Sequence, residues 1–169
     1  ATSTAGTSNL ALGVNAGNSI VSGGNYNVAV GDEAGTAITT GANNTAVGFE
    51  ALKTNATASQ NTAVGMYALK VSLGANNTGL GYGTLVANTT GAGNTAVGKD
   101  ALAANTTASN NVAVGLDALT ANTTGTNNTA VGRESMLSNT TGASNAAFGG
   151  VALDANTTGD YNTAIGQSA

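Results

Sequence analysis

Five carboxylates occupy one recurring place in this chain: Glu33, Glu50, Asp100, Asp117 and Glu134 each stand two residues after the glycine that closes an Asn-x-Ala-x-Gly pentad. Carboxylates at a fixed spacing can build a cation site or the acid and nucleophile pair of glycoside cleavage. If the units that carry them stack as neighbouring strands, Asp100, Asp117 and Glu134 line up ~5 Å apart. In water two such charges repel by only about 0.8 kcal/mol, and Lys99 and Arg133 are interleaved among them. A solvated ridge is the expectation. No sugar-binding aromatic cluster accompanies these carboxylates in the sequence, which weighs against hydrolysis.

The chain has no His and no Cys. Ser-His and Cys-His nucleophilic machinery is therefore excluded, as is a zinc site of the usual His/Cys kind. The 25 glycines fall in repeat columns, and no Gly-Lys-Ser/Thr follows them, so no phosphate loop is read from them. Asn88, Asn105, Asn122, Asn139 and Asn156 each open an Asn-Thr-Thr sequon; repetition of one turn accounts for them more simply than glycan attachment. Tyr26, Tyr67, Tyr82 and Tyr161 stand in different columns, and the pattern singles out none as an adhesive contact. The four basic residues, Lys53, Lys70, Lys99 and Arg133, are dispersed in a chain of net charge −4. That makes no basic patch for nucleic acid. No apolar run approaches the ~18–20 residues that span a bilayer, and Ala1 to Thr7 lack the charged and apolar regions of a signal peptide. No catalytic, cofactor-binding or metal-ligating residue is assigned, and no enzymatic activity is expected.

The elements that would position these side chains come from a tandem repeat. The pentad glycine recurs at Gly13, Gly31, Gly48, Gly65, Gly81, Gly98, Gly115, Gly132, Gly149 and Gly166, mostly 17 residues apart. Asn stands four before it in every copy, Ala two before it in nine, and a large apolar residue one before it throughout. Thr or Val usually fills the position three before. This alternation has a period of two and reads as a short strand. Because Thr exchanges with Val and Leu, the Thr/Val and Val/Leu/Phe face is expected to point inward, leaving Asn, Ala and Gly outside. Leu52, Leu69, Leu85, Leu102, Leu119, Met136 and Leu153, four after the glycine, form a second core anchor. The Asn-Thr-Thr-Gly stretch has turn chemistry. It absorbs the length changes, one residue lost between Ser72 and Asn77 and one gained between Asn15 and Asn27.

One such unit cannot bury its own apolar face, but stacked units can. The fold expected over residues 1–169 is a single all-β array, a parallel β-solenoid (β-roll) of ten ~17-residue coils in ladders ~4.8 Å apart. The rod would be on the order of 45 Å long. The invariant Asn column would form amide ladders up the axis, and repeated Gly, Asn and Thr disfavour a helical alternative. Two or three large side chains per coil, roughly 1.5–3 kcal/mol each when buried, make a thin core. Self-association is expected to supplement it. The chain starts without Met inside the pattern and stops near a turn with no capping sequence. A processed product or a part of a longer fibre is expected, its open coil edge continuing, docking or joining another subunit end to end.

The pentads Asn94-Thr95-Ala96-Val97-Gly98 and Asn128-Thr129-Ala130-Val131-Gly132, with Ala101-Leu102 and the Asn-Thr-Thr-Gly linkers, resemble the Asn-Thr-Ala-x-Gly-x-x-Ala-Leu repeats of phage tail-fibre-like proteins. Asn111-Val112-Ala113-Val114-Gly115 is similar, more distantly, to the Ser-Val-Ala-Ile-Gly repeat of trimeric autotransporter adhesin heads, which form left-handed β-rolls. The unit here is longer than the adhesin one. The resemblance implies a homotrimer, intertwined or side by side. It also implies a structural or adhesive shaft of an extracellular, cell-surface or virion fibre, with a cell-surface or glycan receptor as partner. An ice-binding β-solenoid is the alternative, weakened by a Thr column that exchanges with Val and Leu. A polysaccharide-binding or polysaccharide-degrading tail spike is the third reading.

Overall fold

A computed structural model of the chain describes residues 6–169; Ala1 to Ala5 of the expected array lie outside the described residues. Ten three-residue strands carry the pentads: β1 (Leu10–Leu12), β2 (Val28–Val30), β3 (Thr45–Val47), β4 (Thr62–Val64), β5 (Thr78–Leu80), β6 (Thr95–Val97), β7 (Val112–Val114), β8 (Thr129–Val131), β9 (Ala146–Phe148) and β10 (Thr163–Ile165). They form one sheet in chain order, every pair parallel and in register, as Thr95 with Val112 and Val97 with Val114. Like residue therefore sits above like residue. The described chain is a parallel β-solenoid without helix, one coil per repeat.

Turn segments complete each coil and are hydrogen-bonded from coil to coil as regularly as the strands. The amide of Asp117 donates to Lys99 O at 3.0 Å, and that of Glu134 to Leu116 O at 2.9 Å. Strand register survives both length changes, since Leu10 pairs with Val28 and Thr62 with Thr78. The corner after each strand runs through left-handed backbone, including Glu50 (φ 54°) and Leu52 (φ 49°). Such a conformation costs an L-residue roughly 1–2 kcal/mol, and the stacked hydrogen bonds of the adjoining coils hold it in place. The pentad glycine is required for space: a Cβ on Gly98 would lie 2.5 Å from Gly115 O.

The expected orientation of the strands is reversed. The Ala column, Ala29 to Ala147, is fully buried together with the Asn column, Asn27 to Asn128. The Thr/Val and Val/Leu/Phe columns face outward, half-buried along the rod and exposed at Leu80, Phe148 and Ile165. The interior explains this inversion. The Leu anchors of the opposite wall, Leu52 to Leu119, fill it completely and leave room for little more than a methyl group on the strand side. Where Gly79 replaces the alanine, Thr84 stands in the facing column, and a Cβ on Gly79 would come within 2.7 Å of Thr84 Oγ1. The core is thus Ala on Ala and Leu, closed at both ends by amides.

In the first two coils the anchor changes place. Gly17 and Gly35 stand where later coils have Leu, and Ile20 and Ile38 stand where they have Asn. A Cβ on Gly35 would meet Ile38 Cδ1 at 2.9 Å. The isoleucine therefore reaches from the far corner into the space the leucine fills elsewhere, and Ile38 is fully buried.

Candidate functional site

The carboxylates come to lie on the corner that follows the strands, in stacked left-handed positions. Three separate ion-paired groups form there. Lys53 bridges Glu33 and Glu50, with 2.8 Å to Glu50 Oε1, and Lys70 Nζ lies 2.7 Å from Glu50 Oε2. Three consecutive coils are thereby tied by one chain of alternating charges. Hydrogen bonds from Lys53 and then Lys70 hold the Glu50 carboxyl below its ordinary pKa, and Glu33 and Glu50 hold the Lys53 ammonium above its own. Further along, Lys99 pairs with Asp100 at 3.2 Å and Arg133 with Glu134 at 2.6 Å. The described residues hold no enclosed cavity and no cluster of three or more metal-ligating side chains. As an arrangement this is a salt-bridged ridge on a convex corner, with no cleft to enclose a scissile bond.

The sequence reading left the aromatic residues apart; the fold gathers three of them. Phe49 and Tyr67 meet edge to face with centroids 5.6 Å apart, and Tyr67 meets Tyr82 in the same way at 5.9 Å. Lys70 Nζ stands 4.9 Å over the Tyr67 ring. Phe49 and Tyr82 occupy the position just after the glycine and Tyr67 the next one, so residues of two adjacent columns in three successive coils share one corner. An aromatic cluster does therefore accompany Glu50, contrary to expectation. Comparing neighbouring columns across stacked coils would have revealed it; scanning one column at a time does not.

The sequon asparagines are not surface groups. Asn88, Asn105, Asn122 and Asn139 are fully buried. Each donates Nδ2 to a carbonyl three residues on, as Asn105 does to Ala108 O at 3.0 Å. Each also bonds to its predecessor in the column, as Asn105 Nδ2 does to Asn88 Oδ1 at 2.8 Å. In the folded chain these amides are structural. The first Thr of each of these four sequons ties coils together from the surface, Thr106 Oγ1 donating to Thr123 O at 3.1 Å.

The largest continuous feature is the outer face of the sheet. Its two columns run from Leu10 and Leu12 to Thr163 and Ile165, and neither contains a charged residue. Ten strands ~4.8 Å apart and three residues wide make a strip on the order of 45 by 10 Å, its Thr and Val side chains half-buried along most of its length. Comparison of the chain with protein-family models, curated proteins and solved structures finds no match.

Proposed function

We propose that this chain is a structural and adhesive shaft segment of an extracellular or virion fibre, in which several copies, three by the resemblance of its repeats, pack their outer sheet faces around a common axis. The observation that carries this reading is the uncharged Thr/Val/Leu strip along the full described length of the rod. Burying it removes apolar surface from water at about 25 cal/mol per Å², which a thin Ala-and-Leu interior needs. Nothing on the strip has to be desolvated as a charge. Sedimentation combined with small-angle scattering tests the proposal: an elongated oligomer is expected, and a monomer at micromolar concentration overturns it.

One observation favours a second reading, ice binding. Thr45, Thr62, Thr95 and Thr129 face outward beside Val47, Val64, Val97 and Val131, so regular hydroxyls and methyls lie on a parallel sheet. That outward orientation removes the objection that the Thr column belongs to a core. The two readings use the same face and exclude each other in one assembly. Thermal hysteresis in a monomeric sample supports ice binding; an oligomer that shows none supports the fibre.

A further inference from the structure

We infer that the corner of Phe49, Tyr67 and Tyr82 is a binding site for an extended polysaccharide, with the rings as its stacking platform and the adjoining ion pairs as its hydrogen-bonding edge. The inference deepens the adhesive part of the fibre reading and rests on it. Of the six aromatic residues in the chain, three meet here. Phe49 and Tyr82 are 39% and 44% exposed, with Met66, 42% exposed, in the coil between them. Large apolar groups held in water by a rigid corner do nothing for the coil interior, which Ala and Leu already fill.

The chemistry on this corner selects a sugar over other partners. One face of a pyranose presents C–H bonds of slight positive polarity, which are attracted to the negative face of an aromatic ring. Its hydroxyls need both donors and acceptors at the edge of that platform. Glu33, Lys53 and Lys70, each about a third exposed, supply them. With the largely buried Glu50 side chain beside them the charges of each sign are equal in number, so the corner carries little net field to recruit a charged ligand. Phe49 and Tyr82 belong to coils two apart, a separation of ~10 Å at strand spacing. That is close to the disaccharide repeat of an extended β-linked hexose polymer, so the two rings can take alternate sugars with Met66 beneath the one between. An open surface without a cavity accommodates a chain lying across it, whereas a small molecule is usually held in an enclosed pocket.

The test titrates cellohexaose and chitohexaose into the full chain in its oligomeric state. Calorimetry and tyrosine fluorescence serve as readouts, since the chain has no Trp. Saturable binding of at least one hexaose is expected. Tyr82→Ala and Phe49→Leu should each weaken it roughly tenfold, equivalent to about 1.4 kcal/mol. Phe49→Leu keeps an apolar side chain and removes only the ring. Tyr161→Ala, at an 84% exposed tyrosine remote from the corner, should leave binding unchanged, and circular dichroism confirms that each variant retains its β signature. Failure of both hexaoses to saturate at millimolar concentration, or equal binding by Phe49→Leu, Tyr82→Ala and the parent, overturns the site. Sedimentation of the same samples separates the two proposals: an intact elongated oligomer without sugar binding rejects the site alone, and a monomer that binds sugar rejects the fibre alone.

Discussion

At the scale of single residues, the asparagines carry most of the specificity of the interior. Asn111 Oδ1 accepts from the Asn128 amide at 2.9 Å, and its Nδ2 donates to Gly125 O at 2.9 Å. Asn111→Leu orphans the Asn128 amide, at about 1–3 kcal/mol, while Gly125 O keeps its bond from Asn122 Nδ2. A loss of about 1–3 kcal/mol in denaturant unfolding is expected, and a loss under about 1 kcal/mol would mean the column is not bonded as described. Asn61 shows the cost of breaking the pattern, for its Nδ2 is buried without an acceptor in the coil whose turn is one residue short. Charge behaves differently. Glu50 has a lowered pKa when folded, so its contribution is present above its ordinary value of 4.5 and is lost as pH falls through the lower folded value. Lys53 is raised, so its contribution is present below 10.5 and is lost as pH rises through the higher folded value. Thermal melts should lose a small increment on acidification below about pH 4.5, and Glu50→Gln should remove that increment. The effect stays modest because partly exposed ion pairs contribute little.

At the scale of the coil, one strand, one left-handed corner and one amide-closed turn form a unit whose parts can trade places only together. The first coils demonstrate this with Gly35 and Ile38 in place of Leu and Asn. Ile38→Asn alone empties the corner, at about 2–5 kcal/mol for a deleted core side chain. Gly35→Leu alone overfills it, at about 1–3 kcal/mol. The pair together recreates the arrangement of later coils, whose Leu52 takes the same left-handed backbone, and should recover most of the combined loss. A double-mutant cycle measures the recovery; additive losses would show that the two side chains do not share one space.

At the scale of the whole molecule, the rod is rigid inside and unfinished outside. Its interior bonds run from coil to coil, broken at the Asn61 Nδ2 that lacks an acceptor, while the outer strip remains half-open to water. Val114→Lys places a charge in the middle of that strip without touching the interior. The single chain should fold as before by circular dichroism, and the oligomer proposed above should dissociate in sedimentation. An unchanged oligomer would locate the subunit contact elsewhere on the rod.

The period, the register and the places where length can vary are legible along the chain, because each is a relation between identical letters. Apolar spacing, with Asn and Gly, also locates the anchors Leu52 to Leu153 and the turns. Which side of the strand is inside emerges only from the folded coil. A period of two is unchanged when the strand is turned over, and side-chain hydrophobicity points to the wrong face in a coil so narrow that the leucines of the opposite wall leave the strand room for little more than alanine. The same is true of Asn27 to Asn128: amides look like surface groups until adjoining coils supply their partners, as they do for Asn111. Phe49, Tyr67 and Tyr82 sit in two adjacent columns of successive coils and become neighbours only because stacking brings those coils to strand distance.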